Sequence, residues 1–325
     1  FDNVCDGRRI LREICLMQQL SHPNILGLVD LYCPPAEDSQ DVYIVTAALY
    51  ADLSAAIARG SLREEQIRWV TYQVARGLRH MHAAGVGHRD LKPANILISQ
   101  ELTVKICDLG LARSLVAPTR AEDSELTDYV VTRYYRAPEV VLSPSLYTAA
   151  IDVWSLGCIL GEMYARRPVF QGRSHVDQIR MIVAVLGTPT EEEVSFMAED
   201  SASMRFIRQF NSQGVDFKHA FKRASPEALE VLRGMLRFHP GDRFSAGQVL
   251  AHPWFSSVHT ADDTPPSTVS LQDDANWTAE ELRERTRAEC ARFGRTARKG
   301  LSVSARLRRA ASSVRRRISS RKHSG

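Results

Sequence analysis

No run in this sequence stays apolar for the roughly eighteen residues that a membrane-crossing helix needs, which excludes an ordinary helical span. The opening residues, FDNVCDGRR, hold no initiator methionine and no apolar signal core, so the chain is expected to begin inside a longer protein. Cysteine is scarce. The six at 5, 15, 33, 107, 158 and 290 form no CxxC pair, so neither a zinc site nor a disulfide framework is expected, and a reducing compartment, cytoplasm and nucleus, fits. Residues 294–325 lack acid altogether while carrying eleven Lys and Arg. Taking those eleven from 42 leaves 31 basic residues against 38 acidic, so a mildly acidic body ends in a strongly basic tail.

What is present, 325 residues with 44% apolar content, suffices for one or two substantial cores of a globular protein. Chemistry concentrates in His88-Arg89-Asp90-Leu91-Lys92-Pro93-Ala94-Asn95-Ile96-Leu97, where a carboxylate, an ammonium group and an amide fall within six residues. Such a set suits phosphoryl transfer to a hydroxyl, in which the protein positions reactants and neutralises charge more than it forms bonds. Asp90 would accept the hydroxyl proton, Lys92 would hold the moving phosphate, and Asn95 with Asp108 would bind Mg²⁺. The stretch resembles the catalytic loop of eukaryotic protein kinases. Further marks follow in order: Asp108-Leu109-Gly110, Ala137-Pro138-Glu139 and Asp152-Val153-Trp154-Ser155-Leu156-Gly157. Leu109 stands where the family has Phe and keeps the position apolar. Lys92 two places after Asp90, with Thr132 ahead of Ala137-Pro138-Glu139, resembles the serine/threonine branch, and Thr132 joins the catalytic set that the resemblance implies.

The resemblance implies a two-lobed α+β kinase fold: residues 1–46 of an incomplete small lobe, 47–255 of hinge and mainly helical large lobe, 256–293 of C-terminal extension, and the tail 294–325. Ile10, Ile14 and Met17 recur at helical spacing and predict a helix over Arg8–Leu20. It is similar to the kinase small-lobe helix, whose glutamate, here Glu13, pairs with an ATP-holding lysine. By that alignment the lysine lies about five residues before Phe1 and the glycine-rich loop earlier still, so the 325-residue chain alone is expected to turn over poorly. Residues 41–53, DVYIVTAALYADL, read as a buried strand running into a hinge. By resemblance Thr46 is the gatekeeper, the backbone of Ala47 and Leu49 would hold adenine, Asp52 would reach the ribose, and Leu97 would form the adenine floor. Ser61 and Glu64 predict a capping box for a helix through Ile67, Val70, Val74, Leu78 and Met81, and short strands are expected around Ile96 and over Val104–Ile106.

The segment LTDYVVTRYYR, 126–136, resembles the activation loop of a mitogen-activated protein kinase, with Thr127 and Tyr129 as phosphorylation sites. Phosphate on Thr127 adds up to about two negative charges, which arginines bind through charge-assisted hydrogen bonds. The resemblance assigns that role to Arg9, Arg12, Arg89 and Arg113. Arg133 and Arg136 would meet the phosphate on Tyr129 and shape the pocket that admits proline after the target Ser or Thr. Asp152 would brace the catalytic loop, and Arg243 would pair with Glu139. Asp262 and Asp263 match an acidic docking patch, and Thr278 with Glu281 predicts the cap of a C-terminal helix. The tail suits contact with an acidic membrane, an import receptor or nucleic acid. The expected activity is therefore that of an ATP- and Mg²⁺-dependent, proline-directed serine/threonine kinase, switched on by an upstream dual-specificity kinase. The alternative is a catalytically impaired partner-binding regulator.

Overall fold

The computed structural model describes residues 4–34, 41–60, 62–115, 133–143, 147–259, 268–269 and 277–297. Its first element, α1 (Val4–Gln19), follows from the apolar spacing and buries Leu11, Ile14, Leu16 and Met17. Strands β1 (Leu28–Tyr32) and β2 (Tyr43–Thr46) form an antiparallel pair with Leu28 opposite Thr46 and Tyr32 opposite Tyr43. Of the run 41–53, read as a strand leading into a hinge, residues 43–46 are the strand. After β2 the chain turns outward at Ala47, and β3 (Ala51–Asp52) joins a different sheet, pairing with β5 (Ile96–Ile98), which pairs in turn with β6 (Val104–Ile106).

The helices α2 (Leu53–Arg59) and α3 (Glu64–Ala83) follow, the second at the expected place. Its cap differs from expectation. The N-cap residue is Arg63, whose N–H donates to Gln66 Oε1 at 2.9 Å, and Ser61 lies outside the described residues. Glu64 is drawn elsewhere: its carboxylate accepts from the Trp254 indole N–H and the Ser225 backbone N–H, both at 3.2 Å. Two donors in a half-buried setting hold that carboxylate better than the single backbone N–H that a capping box would offer it.

Beyond β4 (Val86–Gly87) and β7 (Arg113–Ser114), which pair with each other, the chain is helical: α4 (Pro138–Leu142), α5 (Ala150–Ala165), α6 (His175–Leu186), α7 (Ala202–Ile207), α8 (Phe217–Ala220), α9 (Pro226–Met235), α10 (Ala246–Leu250) and α11 (Ala279–Ala297). Helix α5 is apolar all round and is buried from Ile151 to Tyr164, as such a helix must be. Trp154 on it is fully buried and stacks on Phe170 with ring centroids 5.5 Å apart. This large core contacts α2, α3, β5 and β6, so the sheet that carries the polar loop rests on it.

A second cluster joins α1 to the loop after it and to Val86, Leu109 and Ala112. A third unites Ile14, Leu31 and Cys290, with Ile10 and Phe293 alongside, and fastens α11 across α1 and β1. Thr278 and Glu281 cap α11 reciprocally, Thr278 N–H donating to Glu281 Oε2 at 2.7 Å and Glu281 N–H to Thr278 Oγ1 at 3.3 Å. Cys33 and Cys290 are joined by a disulfide, with Cα atoms 6.1 Å apart. This corrects the expectation of no disulfide. The two residues are 257 positions apart, and spacing along a chain says nothing about a contact that exists only after two elements pack. Cys5, Cys15, Cys107 and Cys158 form no disulfide.

Candidate active site

The loop from His88 to Asn95 hangs between β4 and β5, and the first turn of α5 holds it. Asp152 is fully buried there. Its Oδ2 accepts the His88 N–H at 2.8 Å and contacts His82 Nε2 at 2.8 Å, while its Oδ1 accepts the Arg89 N–H at 2.8 Å. Burial alone would raise this carboxyl. The bond from His82, the charges of His82 and His88 and the Arg89 N–H outweigh it and hold the group below the usual carboxylate range. Arg89 itself sits at φ 69°, a left-handed conformation that a branched loop of this kind tolerates only when clamped from both sides.

Within the loop, Lys92 Nζ donates to Asp90 Oδ2 at 2.7 Å, and Asn95 Nδ2 donates to the Asp90 carbonyl at 2.9 Å and to Asp90 Oδ2 at 3.2 Å. Asp90 is raised above the ordinary aspartate value, first by burial and further by the charge of Asp108, against the lowering pull of Lys92. Asp108 is brought to this place through the backbone. The Cys107 N–H donates to the Asn95 carbonyl at 3.0 Å, and His88 bridges the two segments, accepting the Asp90 N–H at Nδ1 (3.2 Å) and meeting the Cys107 carbonyl through Nε2 (3.1 Å). Asp108 also lies in the left-handed region, at φ 63°. Residues 90, 92, 95 and 108 therefore surround one small volume.

Glu13 reaches that volume from α1. Burial first, then the charge of Asp108, raises its carboxyl, and a bond with the Leu109 backbone lowers it in part. The Cys107 thiol is pushed up to about 12 by burial and by Asp108, Glu13 and Asp52, with Lys92 opposing. These carboxylates repel one another across the site. That is the fit a divalent cation requires, since a cation between Asn95 and Asp108 relieves the repulsion. Among the described residues no cluster of three His, Cys, Asp or Glu side chains makes a self-sufficient metal site. Two protein ligands with the remaining positions open is the arrangement that suits Mg²⁺ shared with phosphate oxygens.

On the far side of β5, the hinge residues collect. Thr46 ends β2, Ala47 is exposed, and Leu49 and Leu97 pack against the same cluster as Ile44 and Cys107. Leu97 and Asp52 are opposite each other in the β3–β5 ladder. Asp52 also caps α2, its Oδ1 accepting the Ala55 N–H at 2.8 Å, which leaves Oδ2 for other work. A cavity of about 1040 Å³ lies elsewhere, lined by residues of α1 and α11 and not by Asp90, Asn95 or Asp108.

The arginines expected to bind phosphate are distributed around the start of the activation segment. Arg12 is buried and donates to the Gly110 carbonyl at 2.6 Å, and Arg9 lies against Gly110. Arg113 is opposite Gly87 in the β4–β7 ladder, just before His88, and donates to the Ala112 carbonyl at 3.0 Å. The Arg89 guanidinium lies 4.0 Å from the Tyr147 ring centre. Arg133 and Arg136 stand at the turn 133–136, where Arg136 Nη1 is 3.1 Å from His175 Nε2. Thr127, Tyr129, Thr132, Asp262, Asp263 and the tail 298–325 lie outside the described residues. Arg243 and Glu139 meet in a bidentate pair, fully buried, at 2.7 and 3.0 Å.

Two residues to which motif reading gave no role, His82 and, within the motif itself, His88, are integral to this geometry. The available signal was weak: His82 lies in the last turn of α3, six residues ahead of His88, where only knowledge of α5 would show a buried carboxylate facing both.

A family model described as a protein kinase domain matches residues 2–255. The chain is 42% identical over 268 residues to extracellular signal-regulated kinase 1 of Dictyostelium discoideum, covering 82% of this chain and 50% of that protein. It is 42% identical over 279 residues to mitogen-activated protein kinase 6 of Arabidopsis thaliana, covering 84% and 68%, and 40% identical over 299 residues to mitogen-activated protein kinase 10 of the same plant, covering 90% and 74%. The chain belongs to the mitogen-activated protein kinase family. It spans about half the length of the Dictyostelium relative and about two thirds to three quarters of the two plant proteins. Within this mitogen-activated protein kinase the braced loop 88–95, the carboxylates facing it and the buried Glu139–Arg243 pair belong to the kinase domain matched, while α11 lies beyond it. No described helix is long and apolar enough to cross a membrane.

Proposed function

We propose that the protein transfers the γ-phosphoryl group of ATP to a Ser or Thr hydroxyl that is followed by proline. The observation that carries this reading is the convergence of Asp90, Lys92, Asn95 and Asp108 on one volume, with Asp152 clamping the loop from beneath. Asp90 orients the acceptor hydroxyl and takes its proton, and its burial raises its affinity for that proton. Lys92, held against Asp90 at 2.7 Å, would stabilise charge developing on the transferred group. Asn95 and Asp108 would hold Mg²⁺, which with ATP supplies the phosphoryl group and neutralises its charge. Glu13 would orient the ATP-holding lysine expected ahead of Phe1. Thr46, Leu49 and Leu97 would border the purine, with Asp52 Oδ2 toward the ribose.

Phosphorylation of Thr127 and Tyr129 by an upstream dual-specificity kinase would order the segment through Arg9, Arg12, Arg89 and Arg113 on one side and Arg133 and Arg136 on the other. Asp262 and Asp263 would dock basic motifs of partners. The basic tail would bind an acidic surface, and the protein would act in cytoplasm and nucleus.

The test uses the full-length protein, doubly phosphorylated, with peptides that differ only in having Pro or Ala after the acceptor Ser. Phosphate transfer favouring the proline peptide, falling by about 10²–10⁴-fold in Asp90→Asn, is the expected result. Transfer unaffected by Asp90→Asn would refute the assignment.

A further inference from the structure

Helix α11 covers α1 only in part. Ile14 and Phe293 share an apolar cluster and the Cys33–Cys290 bond ties α11 to β1, but beside that contact a cavity of about 1040 Å³ opens between the two helices and the loop that follows α1. Its floor is apolar, with Leu11, Met17, Leu20 and Ile25 buried there. Its rim is exposed at Gln19, Ser21, Pro23, Arg285, Ala288 and Arg292, so the cavity is a groove that opens to solvent. The charges around it are nearly all of one sign. Arg8 and Arg12 stand one turn apart on α1, Arg285 and Arg292 about two turns apart on α11, and Lys105 on β6, against a single acid, Glu289. That acid is already shared: Gln18 Nε2 is 3.4 Å from its Oε2 and Arg292 Nη1 3.8 Å from its Oε1. Among the described residues, two of the cations meet no carboxylate. Arg8 Nε is buried without an acceptor, and Lys105 Nζ donates to the Pro23 carbonyl at 2.9 Å. Burial lowers the Lys105 pKa, and no described carboxylate opposes it.

These cations are spread over both walls, which narrows the class of occupant. Arg285 and Arg292 alone are separated by roughly 10 Å of helix, so a ligand with one charged end, such as a fatty acid, reaches too few of them. A polyanion without apolar groups leaves the floor uncovered. The chain's own tail, with eleven Lys and Arg and no acid over residues 294–325, is repelled. We propose that the groove is a docking site for a segment of a partner protein in which acidic and apolar residues alternate. Extended, such a segment turns successive side chains to opposite faces, the apolar ones to the floor and the carboxylates back to the long basic side chains of the rim. Its sign is the reverse of the basic motifs that Asp262 and Asp263 would dock, so it adds a second class of partner. Because α1, which carries Glu13, is one wall of the groove, the occupant also braces that helix.

The experiment titrates the full-length protein with three fluorescein-labelled peptides of about ten residues, long enough at roughly 3.3 Å per residue to span the groove. One alternates Glu with Leu and Phe, one has Ser in place of every Leu and Phe, and one has Gln in place of every Glu. We expect the first to bind about tenfold more tightly than either of the others, to weaken as salt rises, and to slow amide exchange in α1 and α11. Arg8→Glu combined with Lys105→Glu should weaken it about tenfold or more, and Ala288→Trp, which fills the groove from its exposed rim, should do the same with no charge altered. Arg180→Glu, a charge reversal at an exposed position of α6, should leave it unchanged. A first peptide that does not bind overturns the inference. So does a loss in Arg180→Glu equal to that in the double reversal, since net charge and not the groove would then act, and so does full binding to Ala288→Trp. Equal binding of the Ser peptide would point to any polyanion and equal binding of the Gln peptide to a lipid-like occupant, and either result overturns it.

Discussion

Asp90 and Asp152 are buried carboxylates sixty-two residues apart in sequence that serve the same loop, yet their surroundings push them in opposite directions. Asp90 has one ammonium partner and a second carboxylate across the site, so burial prevails and its pKa is raised. Asp152 accepts two backbone N–H groups and faces two histidines, so its pKa is lowered. For a proton acceptor the ionised form is the active one. The acid limb of kcat against pH should therefore lie above the ordinary aspartate value of about 4, and a pH–rate profile with its limb below that value would contradict the role. For Asp152 the consequence is stability. Because its folded pKa is depressed, the charged form contributes stability above the unfolded value of about 4, and that contribution fades as pH falls through the folded pKa. Asp152→Asn should cost about 2–4 kcal/mol at pH 7, measured by denaturant unfolding, and the gap between variant and wild type should narrow toward pH 3. Both carboxylates were legible in the sequence because they belong to fixed motifs. The roles of His82 and His88 were not, although His88 opens the same motif, since the contacts that give each its purpose are made across the fold.

At the scale of elements, what could be read were the periodic ones. Ile10, Ile14 and Met17 marked α1, and Ile67 to Met81 marked α3, because each helix turns one apolar stripe to the interior. The run 41–53 reads as a strand leading into a hinge, and its strand ends at Thr46; what composition does not record is that Ala51 and Asp52 then join the sheet of β5. The cap of α3 failed for a related reason, Glu64 being claimed by Trp254 from 190 residues away. The most committed long-range element contact is Arg243 with Glu139, which ties the loop before α10 to α4. Both side chains have no exposure, and the guanidinium also donates to the carbonyls of Ala150 and Arg237. Arg243→Ala leaves a buried carboxylate uncompensated and should cost about 3–5 kcal/mol, whereas Arg243→Met with Glu139→Leu should cost less than the single change. Urea unfolding of the three proteins decides this; a double variant weaker than Arg243→Ala would show that the pair supplies net stability of its own.

Across the whole molecule, the helical core around α5 is self-contained, while the smaller part built on α1, β1 and β2 depends on α11 to cover it. Residues at opposite ends of the chain therefore share one cluster, and the Cys33–Cys290 bond fixes the arrangement covalently. Such a bond acts chiefly on the separated state, since without it α11 can leave α1 at the cost of a small apolar cluster alone. If about 2 kcal/mol of the usual disulfide contribution falls on this local opening, amide exchange in α11 accelerates by about thirtyfold when the bond is removed. Cys290→Ser, and wild type after reduction, should both show that acceleration in α11 and in β1, with little change in α5; Cys5→Ser should show none. Non-reducing peptide mapping supplies the direct check, as a cross-linked peptide containing Cys33 and Cys290 must appear in wild type. Because Glu13 lies on the helix that α11 covers, the same variants place the carboxylate wall of the active site under the control of a contact made far from it, and a Cys290→Ser protein with unchanged exchange in α1 would confine the effect of the bond to the C-terminal helix.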